Sequence, residues 1–141
     1  MLTSARVATR LPAEDLERAR RFYADKLGLE PVDECPGGLL YRPAAGEFAL
    51  FQSTGTSPGT FTQMAREVDD IDSVVTGLKR RGVIFEEVDA PDFQTHNSIA
   101  DIAGNYPSKN ASGERGAWFR DSEGNLLDSH GYVIRPVPYR P

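Results

Sequence analysis

The chain is poor in several residues and patterns on which particular functions depend. It has one cysteine, Cys35, so no internal disulfide can form, and a lone thiol suits a reducing cytoplasm. Its only histidines are His96 and His130, which leaves little imidazole for a metal centre. No apolar run approaches the ~20 residues that span a bilayer. The opening residues, MLTSARVATR, hold no apolar stretch of the kind that directs secretion, and the expected location is cytoplasmic. Basic residues number 16 against 21 acidic, a net charge of −5. That balance excludes a nucleic-acid or anionic-membrane surface, which needs a basic patch. There is no glycine-rich phosphate loop and no Ser-His-Asp series.

What is present reads as a single domain. A chain of 141 residues, 39% hydrophobic and 26% charged, is large enough to bury a sizeable core. Arg6 to Leu11 reads as a strand ended by Pro12. Leu16, Ala19, Tyr23 and Leu27 then recur at helical steps, with acidic residues in the first turn and Gly28 as a stop. Strands follow at Leu29–Glu34, Leu39–Arg42 and Glu47–Ser53. Residues 55–59, rich in Gly, Ser, Thr and Pro, form a linker. A second pass begins with a strand at Thr60–Val68. A helix capped by Asp69 or Asp70 carries Ile71, Val74, Val75 and Leu78 on one face and ends at Gly82. Val83–Val88 reads as a strand. Asp89 to Glu114 reads as a long polar loop with one short strand at Ser98–Ile102, either a lid over a site, plugged by Tyr106-Pro107, or a solvated insertion. Arg115–Arg120 and Asn125–Tyr132 form a closing hairpin around Asp121–Asn125, and residues 134–141 are an extended tail.

The two passes repeat one another. Asp15 and Asp70 open the helices, and Gly28 and Gly82 close them. Gly38, Tyr41, Arg42 and Gly46 match Gly116, Phe119, Arg120 and Gly124. Module one covers about 5–54 and module two about 60–133.

The runs RLPAEDLERARRFYADKLGLE, VDDIDSVVTGLKRRGVIFEE and RGAWFRDSEGNLLDS, in this order, resemble the vicinal oxygen chelate superfamily of glyoxalases, extradiol dioxygenases and bleomycin-resistance proteins. The resemblance implies an α+β fold. Two βαβββ modules would join into an incurved eight-stranded mixed sheet, a cup with helices on its convex face and a ligand inside. It implies a homodimer, and in the enzymes of the family a metal held by two residues of each module. Those positions correspond here to Ala8, Leu50, Gln63 and Asp128. Ala8 and Leu50 offer no ligand and Gln63 only a neutral amide, so Asp128 alone is a strong donor and no metal cofactor is expected. A substitute site of Asp128, His130 and His96 is the remaining route to a metal.

The expected function is therefore a metal-free relative that binds a small organic molecule. The alternative is a metal-dependent lyase, isomerase or dioxygenase of the glyoxalase type. Period two places Phe48, Leu50 and Gln52 on one strand face and Phe61 and Gln63 on another, an apolar lining with a few polar groups. Arg10 would hold an anionic group of the ligand or else reach solvent. Asp128 would pair with Arg10 or take a ligand donor, and His130 would sit at the rim. Trp118, Phe119 and Tyr41 read as core. Asp128 is also a candidate general base, but the residues assign no catalytic role firmly.

Overall fold

The structure is a computed structural model that describes residues 1–104 and 111–133. The tail and the Tyr106-Pro107 plug lie outside the described residues. These residues form an α+β fold with two α-helices and two sheets, in two compact units. The first unit comprises Met1–Met64 and Arg120–Leu126, and the second Ala65–Phe119 and the chain from Leu127.

In the first unit the element order is β1 (Thr9–Ala13), α1 (Leu16–Leu27), β2 (Asp33–Cys35), β3 (Gly38–Tyr41) and β4 (Phe48–Gln52). The sheet runs β1-β4-β3-β2, with β1 parallel to β4 and the other pairs antiparallel. This is one βαβββ module. Pro12 does not end β1 as expected. It lies inside the strand, opposite Phe51, and is tolerated because β1 is an edge strand. The helix starts where Asp15 accepts a hydrogen bond from the Arg18 amide, and stops at Gly28 in the left-handed region, φ 67°. Its buried face is Ala19 and Tyr23, and Tyr23 packs against Tyr41 and Phe48 in a core that also holds Leu11 and Leu50. Tyr41 and Phe48 stack with ring centroids 5.0 Å apart, and Tyr23 tilts against both.

The hairpin turn 121–125 belongs to this unit. Its acidic residues are consumed in structure. Asp121 accepts hydrogen bonds from the Tyr23 hydroxyl at 2.7 Å, from the Asn125 amide side chain and from the Glu123 and Asn125 backbone. Glu123, its side chain wholly buried, accepts from the Asp15 backbone N–H and from the Arg18 guanidinium. Burial alone would raise the Glu123 carboxyl. The Arg18, Asp15 and Ser122 donors outweigh it and hold the group below the ordinary glutamate range.

In the second unit α2 (Ile71–Arg80) starts at an Asp70 cap and buries Ile71 and Val75. The strands are β5 (Thr62–Glu67, which begins in the first unit), β6 (Thr95–His96), β7 (Ile99–Ala103), β8 (Gly113–Arg120) and β9 (Leu126–Val133), in the sheet order β5-β9-β8-β7-β6. Two expectations are corrected. Val83–Val88 is not a strand: it touches β8 through a Phe85–Phe119 bridge and a Glu86 N–H to Trp118 carbonyl bond. The rest of that edge of β8 pairs with β7, from Ala100–Gly116 to Ala103–Gly113. The polar segment thus folds into a β6–β7 hairpin, turned by Asn97 (φ 52°) and Ser98 (φ 72°). Glu87 secures it, accepting from the Thr95 and Ser98 hydroxyls, which lower its pKa.

Candidate functional site

In the first unit the residues expected to line a pocket divide between several environments. Phe48 and Leu50 lie in the core with α1, and Leu50 is 0% exposed. The expectation that these two side chains face a ligand is corrected: the opposite parity of β4 faces the open side. There a hollow of about 240 Å³ is bordered by Arg10, Asp33, Cys35, Leu40, Ala49 and Phe51. Leu50 also borders it, although its side chain is buried. Arg10 is exposed and borders this hollow beside Ala49. Gln52 turns to the backbone, donating to the Glu14 and Ser53 carbonyls. Phe61 is 66% exposed. Gln63 is held in a network: its amide oxygen accepts from Ser57 at 2.5 Å and from the Leu126 N–H at 3.3 Å, and its NH₂ donates to Asn125 at 3.0 Å.

In the second unit β9 places Asp128, His130 and Tyr132 at alternate positions, so they share one face. His130 Nδ1 lies 3.3 Å from Asp128 Oδ2, and its Nε2 lies 3.0 Å from the Tyr132 hydroxyl. His130 is 5% exposed, and so is not the rim residue expected. Asp128 is 8% exposed. Its Oδ1 and the Glu114 Oε2 are buried acceptors without a hydrogen-bond partner, and His130 Nδ1 is not aligned to hydrogen-bond Oδ2. Burial pushes the Asp128 carboxyl up to about 6; His130 and Arg66 oppose that shift and Glu114 adds to it. A carboxylate with such a pKa can exchange protons near neutral pH, as a general acid or base must. Glu114, Gly116 and Trp118 alternate along β8. A methyl group on Gly116 would lie 3.4 Å from Asp128 Oδ1 and 3.2 Å from the Trp118 ring. Carboxylate and indole therefore both pack against Gly116, closely enough that a side chain there would have to displace one of them. Sequence reasoning missed Glu114 and Tyr132 and placed Trp118 in the core. Their alternation with Gly116 and His130 was the signal that could have found them.

The positions that the resemblance assigns to a metal do not fit a metal ion here. Two side chains are Ala8 and Leu50, and the Gln63 oxygen already accepts two hydrogen bonds. Among the described residues no three His, Cys, Asp or Glu side chains converge to hold one, so His96 does not complete a site with Asp128 and His130.

A family model described as "Glyoxalase/Bleomycin resistance protein/Dioxygenase superfamily" matches residues 5–128. Among solved structures, a glyoxalase/bleomycin resistance protein/dioxygenase from Alicyclobacillus acidocaldarius is 17% identical, with TM-score 0.66 and 92% of each chain covered. Another from Nocardioides is 20% identical, TM-score 0.61, covering 98% of this chain and 91% of that one. A mutant of the fosfomycin resistance protein FosX from Listeria monocytogenes, complexed with Mn(II) and 1S,2S-dihydroxypropylphosphonic acid, is 12% identical. Its TM-score is 0.60, over 94% of this chain and 91% of that one. At these identities the likeness is one of fold. No curated protein sequence matches the chain.

Proposed function

Because the chain belongs to the glyoxalase/bleomycin resistance protein/dioxygenase superfamily, we propose that it is a member that binds a small organic molecule without a metal ion. One observation carries this reading. Of the four positions that the resemblance assigns to a metal, two are apolar, one is an amide spent in a local network, and Asp128 alone keeps a carboxylate oxygen without a hydrogen-bond partner. A catalytic divalent ion needs about three protein ligands and an open position. A buried carboxylate with an idle oxygen, bordered by an indole, is instead the mixture of apolar wall and placed polar group that small-molecule sites use. On this reading Asp128 is the polar anchor for the ligand. The chain would act as a sequestering protein in the cytoplasm, and as a homodimer, in keeping with the resemblance.

The test is metal dependence. Protein purified without chelator or immobilised nickel is analysed by elemental mass spectrometry. It is then melted with Zn, Ni, Fe, Mn or Co, and with a library of small organic molecules. The expected result is substoichiometric metal, no rise in Tm with any ion, and a rise with at least one organic compound. Near-stoichiometric metal, or stabilisation by one ion, would overturn the reading in favour of glyoxalase- or dioxygenase-type chemistry.

A further inference from the structure

We propose that the open face of the first unit's sheet is a binding site for a small apolar monocarboxylate, held through Arg10. The hollow on that face is built by the first unit alone. The inference therefore goes beyond the reading of Asp128 as an anchor and does not depend on it.

Strand register assembles the site. Residues paired across neighbouring strands point to the same side of a sheet. The pairings Arg10–Ala49, Ala49–Leu40 and Leu40–Asp33 lay one row across β1, β4, β3 and β2. Phe51, Gly38 and Cys35 form the next row on the same side. The residues between the rows, Leu11, Leu50 and Leu39, are buried in the core. The open face is thus cationic at one edge, acidic at the other and apolar between, around a hollow of about 240 Å³.

Gly38 keeps that hollow open. Its backbone does not take the positive φ that demands glycine, unlike its neighbour Gly37 at φ 86°. A methyl group on Gly38 would reach into the hollow's border, 3.3 Å from Cys35 Sγ. Glycine in a strand without a backbone need marks a place of close approach, here by a ligand. Ala49 is small as well, while Leu40 and Phe51 supply the apolar surface, and Phe51 is 39% exposed. Sites for drug-sized ligands start at about 300 Å³, so this hollow suits a single ring with a short chain.

Arg10 sets the sign of the ligand. Among the described residues its guanidinium makes no ion pair and no hydrogen bond. The acids nearby do not meet it. Glu34 pairs with Arg20 of α1 at 2.8 Å, on the helix side of the sheet. Asp33 accepts from the Glu34 N–H and stands at the far edge, three strand spacings or ~14 Å away. A carboxylate therefore gains two parallel N–H donors from Arg10, and a ring attached to it packs on Phe51 and Leu40. Asp33 repels a second acid group, which selects a monocarboxylate, and Arg10 repels an organic cation.

Cys35 is the only cysteine of the chain, is exposed and borders the hollow. Its rate of reaction with the neutral disulfide dithiodipyridine therefore reports where a ligand sits. The probes are hydrocinnamate, its neutral alcohol, the cationic phenylpropylamine, and acetate, with affinities from calorimetry. The expected result is saturable binding of hydrocinnamate that slows Cys35 labelling, weaker binding of the alcohol, and none of the amine or acetate. Arg10→Gln should weaken hydrocinnamate by about tenfold or more, the scale of one charge-assisted hydrogen bond, and leave the alcohol unchanged. Gly38→Val fills the hollow and should abolish binding of both. Circular dichroism checks that each variant folds, and Arg10→Gln, at an exposed position, carries the test if Gly38→Val does not. Alcohol or amine binding as tightly as the acid would overturn the site, as would unchanged affinity in Arg10→Gln. Binding that leaves Cys35 labelling unaltered would overturn it by placing the ligand elsewhere. Labelling that slows with protein concentration alone would overturn it by giving the face to a second copy. No binding of hydrocinnamate would overturn this site and leave the metal-free reading to its own test.

Discussion

At the scale of single residues, Asp128 is held at a cost. Its carboxyl is raised by burial to about 6, from an ordinary value of 3.8. A group whose folded pKa lies above its unfolded value binds its proton more tightly when folded. Its contribution therefore favours folding at low pH, and is lost as pH rises from the unfolded value through the folded one. Asp128→Asn removes that dependence. The variant is expected to match the natural protein's stability below about pH 4 and to exceed it at neutral pH, by up to about 3 kcal/mol. Urea unfolding across pH measures this, and a gap that does not widen with rising pH would contradict it. The same residue was legible in the sequence, because the acidic turn and the run GNLLDS fix its register in a hairpin. The pocket face of β4 was not. Phe48 and Leu50 are apolar at one parity, and Ala49 and Phe51 at the other, so alternation could not tell core from open face. Tyr23 and Tyr41, arriving from α1 and β3, take the first pair into the core.

At the scale of elements, the helix starts, the helix stops and the closing turn came directly from local chemistry. Asp15 and Asp70 cap as read, and Gly28, Gly46, Gly82 and Gly124 all take positive φ. The turns at Gly46 and Gly124 share a conformation and differ in surroundings. Gly46, φ 79°, has nothing within 4 Å of where a Cβ would stand. At Gly124, φ 85°, a Cβ would lie 2.5 Å from the Ser57 carbonyl oxygen. Gly46→Ala should therefore cost only the conformational penalty, about 1 kcal/mol. Gly124→Ala should add a backbone clash and cost roughly 3 kcal/mol, a fall in Tm of several degrees more. Equal melting temperatures for the two variants would show that Ser57 yields without cost. The β6–β7 hairpin was hidden, by contrast. Its turn uses Asn97 and Ser98 in place of glycine, and Glu87, outside it, satisfies its hydroxyls. The Val83–Val88 run has the composition of a strand but lost most of its partner edge to β7.

At the scale of the whole molecule, no helix among the described residues is long and apolar enough to cross a membrane. Several apolar side chains stand exposed, Val7, Phe61 and Ile84 among them. Single exposed apolar side chains are ordinary on a protein surface, so the proposed homodimer rests on the resemblance. The proposed homodimer should appear in light scattering as twice the chain mass at micromolar concentration; the chain mass alone at every concentration would exclude it. The sequence by itself determined the elements up to the second helix, the closing hairpin, the capping residues and the poverty of metal ligands. Each of these is written in residue type and short-range spacing. Only the tertiary structure decided which strand face is core, that Gln63 is spent on Ser57 and Asn125, and that Asp128 and Glu114 each keep a buried oxygen without a hydrogen-bond partner. Those facts depend on burial and on partners far apart in the chain, and a carboxylate's hydrogen bonds and pKa are set by what surrounds it, not by its neighbours in sequence.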